Sequence, residues 1–434
     1  MRARWWRFAA AAATLIALAG CTAVNNDGDA STAGGSPPAP SAPSQPSGQS
    51  EEPTPTPSPG VGPTCPTERC ASVTVAGDLL IHTQLWAQAR ADAAVTGAGE
   101  AGMDFGPLME GARPYVTNAD LAVCHMETPV STPEGPFSAY PSFNVPPQIL
   151  TAAKGVGFDA CDNASNHTID QGTEGLMRTV DALDAAGLPH TGAYRSEAES
   201  RGVLIMDTPS AKIAIITGTY GLNGLVPEAP WQVDMLDAPT MIAKAQRARE
   251  MGADLVLANM HAGEEYVDYP NEQQTTTARA LIDSGQFDAV YGEHTHSVLP
   301  IEKYNGKWIV YGMGNMLTEL SPTYVVNNEG MIARFQFAQQ PDGTWQTSDL
   351  AWAPSVIRDN PYRWCSVAQD MPNGQCGDPA MDAASYERTK ATVNSMGAAE
   401  DGAREWKVTE DPMPGDPSAI PTQDPASVES GAGG

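Results

Sequence analysis

From Ser72 onward, short apolar runs alternate with longer stretches whose apolar positions recur near every 3.6 residues. The short runs predict strands at Ser72–Ala76, Leu121–Cys124, Phe158–Cys161, Val203–Asp207, Ile213–Thr217, Asp254–Asn259 and Phe287–Tyr291. Later ones fall at Trp308–Tyr311, Met331–Phe337 and Trp345–Ala351. The amphipathic stretches predict helices over Glu174–Ala186, Thr240–Met251 and Asn271–Ser284, with Gly187 and Gly252 placed as helix stops. Strand–helix alternation predicts an α/β domain with largely parallel pairing. Val203–Asp207 and Ile213–Thr217 lie so close together that an antiparallel pair or a second sheet is expected there. No internal repeat is visible.

The two ends read differently. Met1 to Arg7 is basic, and Phe8 to Ala19 is apolar but too short to span a bilayer as a mature helix. Leu18-Ala-Gly-Cys21 resembles a bacterial lipobox, which implies export and a lipidated Cys21 at the membrane; a plain secretory signal is the alternative. Residues 22–64 are rich in Pro, Ser, Gly and Thr, as expected of a disordered tether. The chain is acidic and Pro/Gly/Ser-rich again over 409–434, as expected of a disordered tail. Between them the expected division is a main domain over 65–352 and an appendage over 353–408.

Net charge is −28, from 52 acidic and 24 basic residues, with no basic stripe, so nucleic acid is an unsuitable partner. A polyanion would need cations or local basic groups to be held. Apart from Cys21, six cysteines remain, an even number that suggests disulfides in an exported chain. Sequence proximity favours Cys65–Cys70 and Cys365–Cys376, which leaves Cys124 with Cys161. No Cys-x-x-Cys pair offers a thiolate zinc site.

Six of the seven histidines stand at or just past the ends of apolar runs, beside Asp, Glu or Asn. Gly77-Asp78 follows the first strand, with His82 four residues on; it is also an ordinary turn sequence. His125-Met-Glu127 ends the second, and in extended chain these two side chains share a face. Asn166-His167 and Asp170 crowd an amide, an imidazole and a carboxylate into a strand-to-helix loop. His261 ends another strand, followed by Gly263, Glu265 and Tyr266. His294-Thr-His296 follows a buried strand and a glycine, and Gly312-Met-Gly314-Asn315 ends the next. Imidazole, carboxylate and amide oxygen from successive strand ends suit two divalent cations that activate water for hydrolysis. His167 is then placed to protonate a leaving oxygen. Nothing resembles Gly-x-Ser-x-Gly, His-Glu-x-x-His or a P-loop.

In this order the motifs resemble those of the CapA family of poly-γ-glutamate capsule biosynthesis proteins, relatives of calcineurin-like metallophosphoesterases, across about residues 70–320. The resemblance implies a four-layer α/β/β/α metallophosphatase-like sandwich holding two metal ions, Mn²⁺, Fe²⁺ or Zn²⁺. It implies Asp78, Glu127, Asn166, His261, His294 and His296 as ligands and His167 as the catalytic histidine, with Asp170 expected to act in catalysis beside it. His82, His125, Glu265, Tyr266 and Asn315 are expected to contact substrate or support the ligands. Three departures stand out, the first being that the Asp-x-His of phosphoesterases is absent after Gly77, where His82 lies four residues from Asp78. The family's Asn-Leu-Glu reads His125-Met-Glu127 here, and its His-Pro-His has Thr295 at the centre with Glu293 just before it. The expected activity is phosphoesterase-like hydrolysis in capsule, polyglutamate or envelope-polymer synthesis. The alternative is a surface lipoprotein that binds such a polymer, with metal serving structure only.

Overall fold

The computed structural model describes residues 65–319, 325–370 and 378–408. The expected signal, tether and acidic tail, with Cys21 and Cys376, lie outside these residues. Among them, no helix is long and apolar enough to cross a membrane.

Two sheets carry the fold. The first joins β1 (Cys70–Leu79), β2 (Leu121–Met126), β3 (Ala160–Asp162) and β4 (His190–Thr191) in parallel. The second is built from β5 (Leu204–Asp207), β6 (Lys212–Ile216), β7 (Leu255–His261), β8 (Ala289–Glu293), β9 (Ile301–Tyr304) and β10 (Lys307–Val310), ordered β5-β6-β7-β8-β10-β9. Then the chain returns to the first sheet. β11 (Asn315–Leu317) pairs with β1, and β12 (Glu329–Gln339), β13 (Trp345–Arg358), β14 (Arg363–Ser366) and β15 (Arg404–Glu405) extend it antiparallel on the far side of β1, except for parallel β15. β5 and β6 form the antiparallel pair expected from their spacing.

Period-two alternation sorts the strand residues into layers. Val73 and Val75, Leu121 and Val123, Ile213 and Ile215, Leu255 and Leu257, and Trp308 and Val310 meet in one buried cluster between the sheets. Their odd-even neighbours face outward. Ala76, Ala122 and Cys124 pack under α1 (Thr83–Thr96), α2 (Gln148–Val156) and α3 (Gly172–Ala185). Ala214, Val256, Ala258, Val290 and Ile309 pack under α4 (Ala238–Glu250) and α5 (Glu272–Asp283). The result is helix, sheet, sheet, helix. Each fully buried Leu or Ile in these layers contributes about 1.5–3 kcal/mol of transfer free energy.

The expected helices are α3, α4 and α5. Asn271 caps α5: its side chain accepts from Gln274 N at 2.9 Å, and the Gln274 side chain accepts from Asn271 N at 3.0 Å. A further helix, α6 (Pro379–Val393), packs on β12 and β13. β13 runs through the expected boundary at 352/353, and β14 and β15 pair with it in the first sheet. Cys65–Cys70 and Cys124–Cys161 are disulfide-bonded.

Candidate metal centre

The inward-facing positions that are apolar along each strand turn polar at the carboxyl ends. Leu121 and Val123 are followed by His125; Leu255 and Leu257 by Asn259 and His261; Ala289 and Tyr291 by Glu293. β1 joins them through a bulge. Val75 pairs with Val123 and Asp78 with His125, three residues against two, which turns Asp78 to the same face as Val75. Gly77 makes this possible, since a Cβ there would lie 1.9 Å from the Gly314 carbonyl oxygen.

Loops supply the remainder. Asn166 and His167 follow β3, and His294 and His296 follow β8 with positive φ of 86° and 51°. Left-handed backbone costs a side-chain-bearing residue about 1 kcal/mol or more. The His294 amide donates to both Asp78 carboxylate oxygens at 3.2 Å, tying this turn to β1.

Asp78, His125, Glu127, Asn166, His261, Glu293, His294 and His296 are all buried, and the donor atoms of all but Asn166 overlap in three groups. Asp78, Glu127 and His296 form one, and Glu127, His261 and His294 a second. The third joins Asp78, His125, His261 and Glu293. His296 Nδ1 lies 3.3 Å from Asp78 Oδ2, and its Nε2 3.7 Å from Glu127 Oε1. His261 Nε2 is 2.9 Å from Asn166 Oδ1. Both Glu127 oxygens and His294 Nδ1 are buried with no hydrogen-bond partner.

Burial lifts the Glu127 carboxyl to about 7 and pushes His294 down to about 3. It opposes charge on His296 too, but Glu127 and Asp78 beside that ring carry it up to about 9. A buried carboxylate with two idle oxygens is costly, and among the described residues no lysine or arginine pairs with Asp78 or Glu127. Mixed imidazole and carboxylate donors suit Zn²⁺, Mn²⁺ or Fe²⁺ and meet that cost. The residues present therefore fit a bound divalent metal.

His167 stands beside the cluster. Its Nδ1 is 2.7 Å from Asp170 Oδ2, which also accepts from Phe143 N at 2.8 Å, and the Phe143 ring meets His167 edge-on at 4.8 Å. Burial depresses this imidazole, but Asp170 and Glu127 more than offset it, so its pKa is raised. His82 also packs edge-on against Phe143, its ring 5.2 Å away and its Nε2 buried without a hydrogen-bond partner. Asn315 Oδ1 lies 3.0 Å from His296 Nδ1. Glu265 and Tyr266 sit at the exposed rim, with the Tyr266 ring 6.0 Å from that of His296.

Several members escape sequence reasoning. Asp162 and Glu293 both contact His125 Nδ1, the latter at 2.7 Å; Tyr291 OH donates to Asp162 at 2.9 Å, and Asn259 Nδ2 to Glu293 at 2.9 Å. Their signal is parity. Asn259, Tyr291 and Glu293 each lie two residues from another inward position. Tyr220, whose ring lies 4.5 Å from that of His294, comes from the loop after β6 and carries no such signal.

The layering is that of a metallophosphatase-like fold, with acid and imidazole donors gathered at the carboxyl ends of its strands as a candidate metal centre. Residues 72–319 match the model of the bacterial capsule synthesis protein PGA_cap family, and the chain belongs to that family. It is 27% identical over 213 residues to the capsule biosynthesis protein CapA of Bacillus anthracis, covering 47% of this chain and 52% of that one. The PGA biosynthesis protein CapA of Bacillus subtilis is 30% identical over 167 residues, covering 38% and 43%. The chain thus spans about half the length of these relatives. Among solved structures, a calcineurin-like phosphoesterase of Bacillus subtilis aligns with a TM-score of 0.41 and 14% identity over 76% of this chain and 99% of that one.

Proposed function

We propose that this protein is an exported, lipid-anchored CapA-type hydrolase that would use two divalent cations to hydrolyse a phosphoester during synthesis or retention of a capsule or envelope polymer, polyglutamate among the candidates. The observation that carries the reading is Glu127, a fully buried carboxylate with both oxygens unpartnered, shared by two donor groups. Asp78 and His296 complete one position. His261 and His294 complete the other, with Asn166 held at His261. When bound, such a pair supplies an activated water and stabilises charge on phosphoryl oxygens. The chain's own residues do the rest. Asp170 fixes the His167 ring through Nδ1, which leaves Nε2 to carry a proton to the leaving oxygen. Support for export and anchoring is the Leu18-Ala-Gly-Cys21 element; the relatives' names support the polymer.

The test is metal analysis of the purified full chain, then a screen of chromogenic phosphoesters with Mn²⁺. His167→Ala should keep its metal and lose about 100-fold or more in turnover. Cys21→Ala should move the protein out of the membrane fraction. Wild type with neither metal nor turnover would sink the enzymatic reading.

A further inference from the structure

The outer pair leaves His125 and Glu293 without a task. The fold puts them in contact, Glu293 Oε2 lying 2.7 Å from His125 Nδ1. Their other donor atoms, His125 Nε2 and Glu293 Oε1, are buried without hydrogen-bond partners, as is His261 Nδ1. Asp78 Oδ1 lies 3.8 Å from His125 Nε2 and 3.9 Å from His261 Nδ1. One donor atom from each of these four residues falls within 4.8 Å of the others.

The backs of the same side chains are already fixed. Asp162 and Glu293 hold His125 Nδ1, Asn259 holds Glu293 Oε2, and Tyr291 holds Asp162. This is how metal-ligating histidines and carboxylates are usually oriented by partners behind them. Asp78, Asp162 and Glu293 are also three fully buried carboxylates around one imidazole. Packing like charges this closely demands compensation from inside the cluster.

We propose that Asp78, His125, His261 and Glu293 hold a further divalent cation, inward of the outer pair. This rests on the paired-site reading only in sharing Asp78 and His261 with it. Two imidazole nitrogens and two carboxylate oxygens favour Zn²⁺ over Mg²⁺ or Ca²⁺, which prefer all-oxygen shells. Four buried protein donors make a closed site of the structural kind, without an open position for substrate. The inner ion is therefore one that exchanges slowly and is acquired on folding.

Zinc per chain, measured by mass spectrometry on the full-length protein before and after prolonged EDTA dialysis, tests this. Wild type should retain about one equivalent that EDTA does not remove. His125→Asn and the near-isosteric Glu293→Gln should lose it, and Glu127→Gln, which strikes the outer pair alone, should keep it. Resistant zinc surviving in both inner variants overturns the proposal. So does wild type that retains none, which would mean that protons within the His125 network balance the charge. If the inner variants fail to fold, anomalous diffraction from wild-type crystals at the zinc edge decides: a peak between His125 and Glu293 supports the site, and its absence overturns it. Wild type with the resistant equivalent and no EDTA-labile ions would defeat the outer pair and leave the inner site standing. The reverse pattern would do the opposite.

Discussion

Removing the Cys124–Cys161 disulfide by a Cys124→Ala/Cys161→Ala double substitution should cost a large share of the protein's stability. The bond closes a loop with a sequence separation of 37. By chain entropy, releasing such a loop in the unfolded state costs about 4 kcal/mol at 25 °C. Domains are commonly stable by only about 5–15 kcal/mol. Urea unfolding followed by tryptophan fluorescence reads the effect. For an m-value of about 3 kcal/mol/M, the midpoint should fall by about 1.3 M. The slope should rise as well, because the uncrosslinked chain exposes more surface. The folded site should survive. Cys124 pairs with Cys161 and His125 with Asp162 along the same β2–β3 ladder, and backbone bonds hold that register without the sulfurs. Metal content of the folded fraction should therefore match wild type. A midpoint shift worth less than about 1 kcal/mol would refute the entropic reasoning. Loss of metal from the folded protein would refute the independence of site and crosslink.

Gly77→Ala should drive β1 from Gly314, since its Cβ would meet that carbonyl oxygen at 1.9 Å; a stability loss of about 3 kcal/mol by thermal melting is expected, together with loss of metal. Unchanged melting and metal content would contradict the bulge argument. Trp406 is fully buried, 5.2 Å from the Tyr115 ring and beneath the Arg334 guanidinium, so Trp406→Ala should cost about 3–5 kcal/mol and free the segment after α6 to limited proteolysis. His190 is depressed by burial, with Asp184 and Glu199 opposing and Arg195 reinforcing. The unfolded chain then binds more protons between the depressed value and 6.5, so stability should fall as pH drops below about 6.5. His190→Gln should flatten that slope in urea midpoints taken from pH 7.5 to 5; an unchanged slope would show that other groups carry it.

Much of this architecture is legible along the chain, for a physical reason. Strands buried on both faces read as continuous apolar runs, and β7 and β8 stand out on that account. The same runs end in His261 and in Glu293-His294, so the ligand candidates at strand ends are local signals. What is not local is hidden. The return of β11 and β12 to β1 depends on pairings across more than two hundred residues, as Asp78 with Asn315. α1 escapes because its sequence is alanine-rich and only weakly amphipathic, and β9 because it is a four-residue half-exposed strand. Asp162 reads as the first residue of a polar loop, although it closes β3 against His125.

The period-two placement of the site has a consequence for how the chain tolerates change in length. His125, His261 and Glu293 lie on the face of Val123, Leu257 and Tyr291, while Cys124, Met126 and Met260 occupy the opposite one. Deleting one residue within β2 or β7 would exchange the faces, turning thioethers toward the candidate metal site and imidazoles toward the helices. The strand interiors should therefore reject single-residue deletions even when the lost side chain is an ordinary valine. The exposed stretch around Leu225 and Val226, outside any strand, should accept them. A deletion scan would thus trace the metal centre by frame, independently of the identity of any ligand.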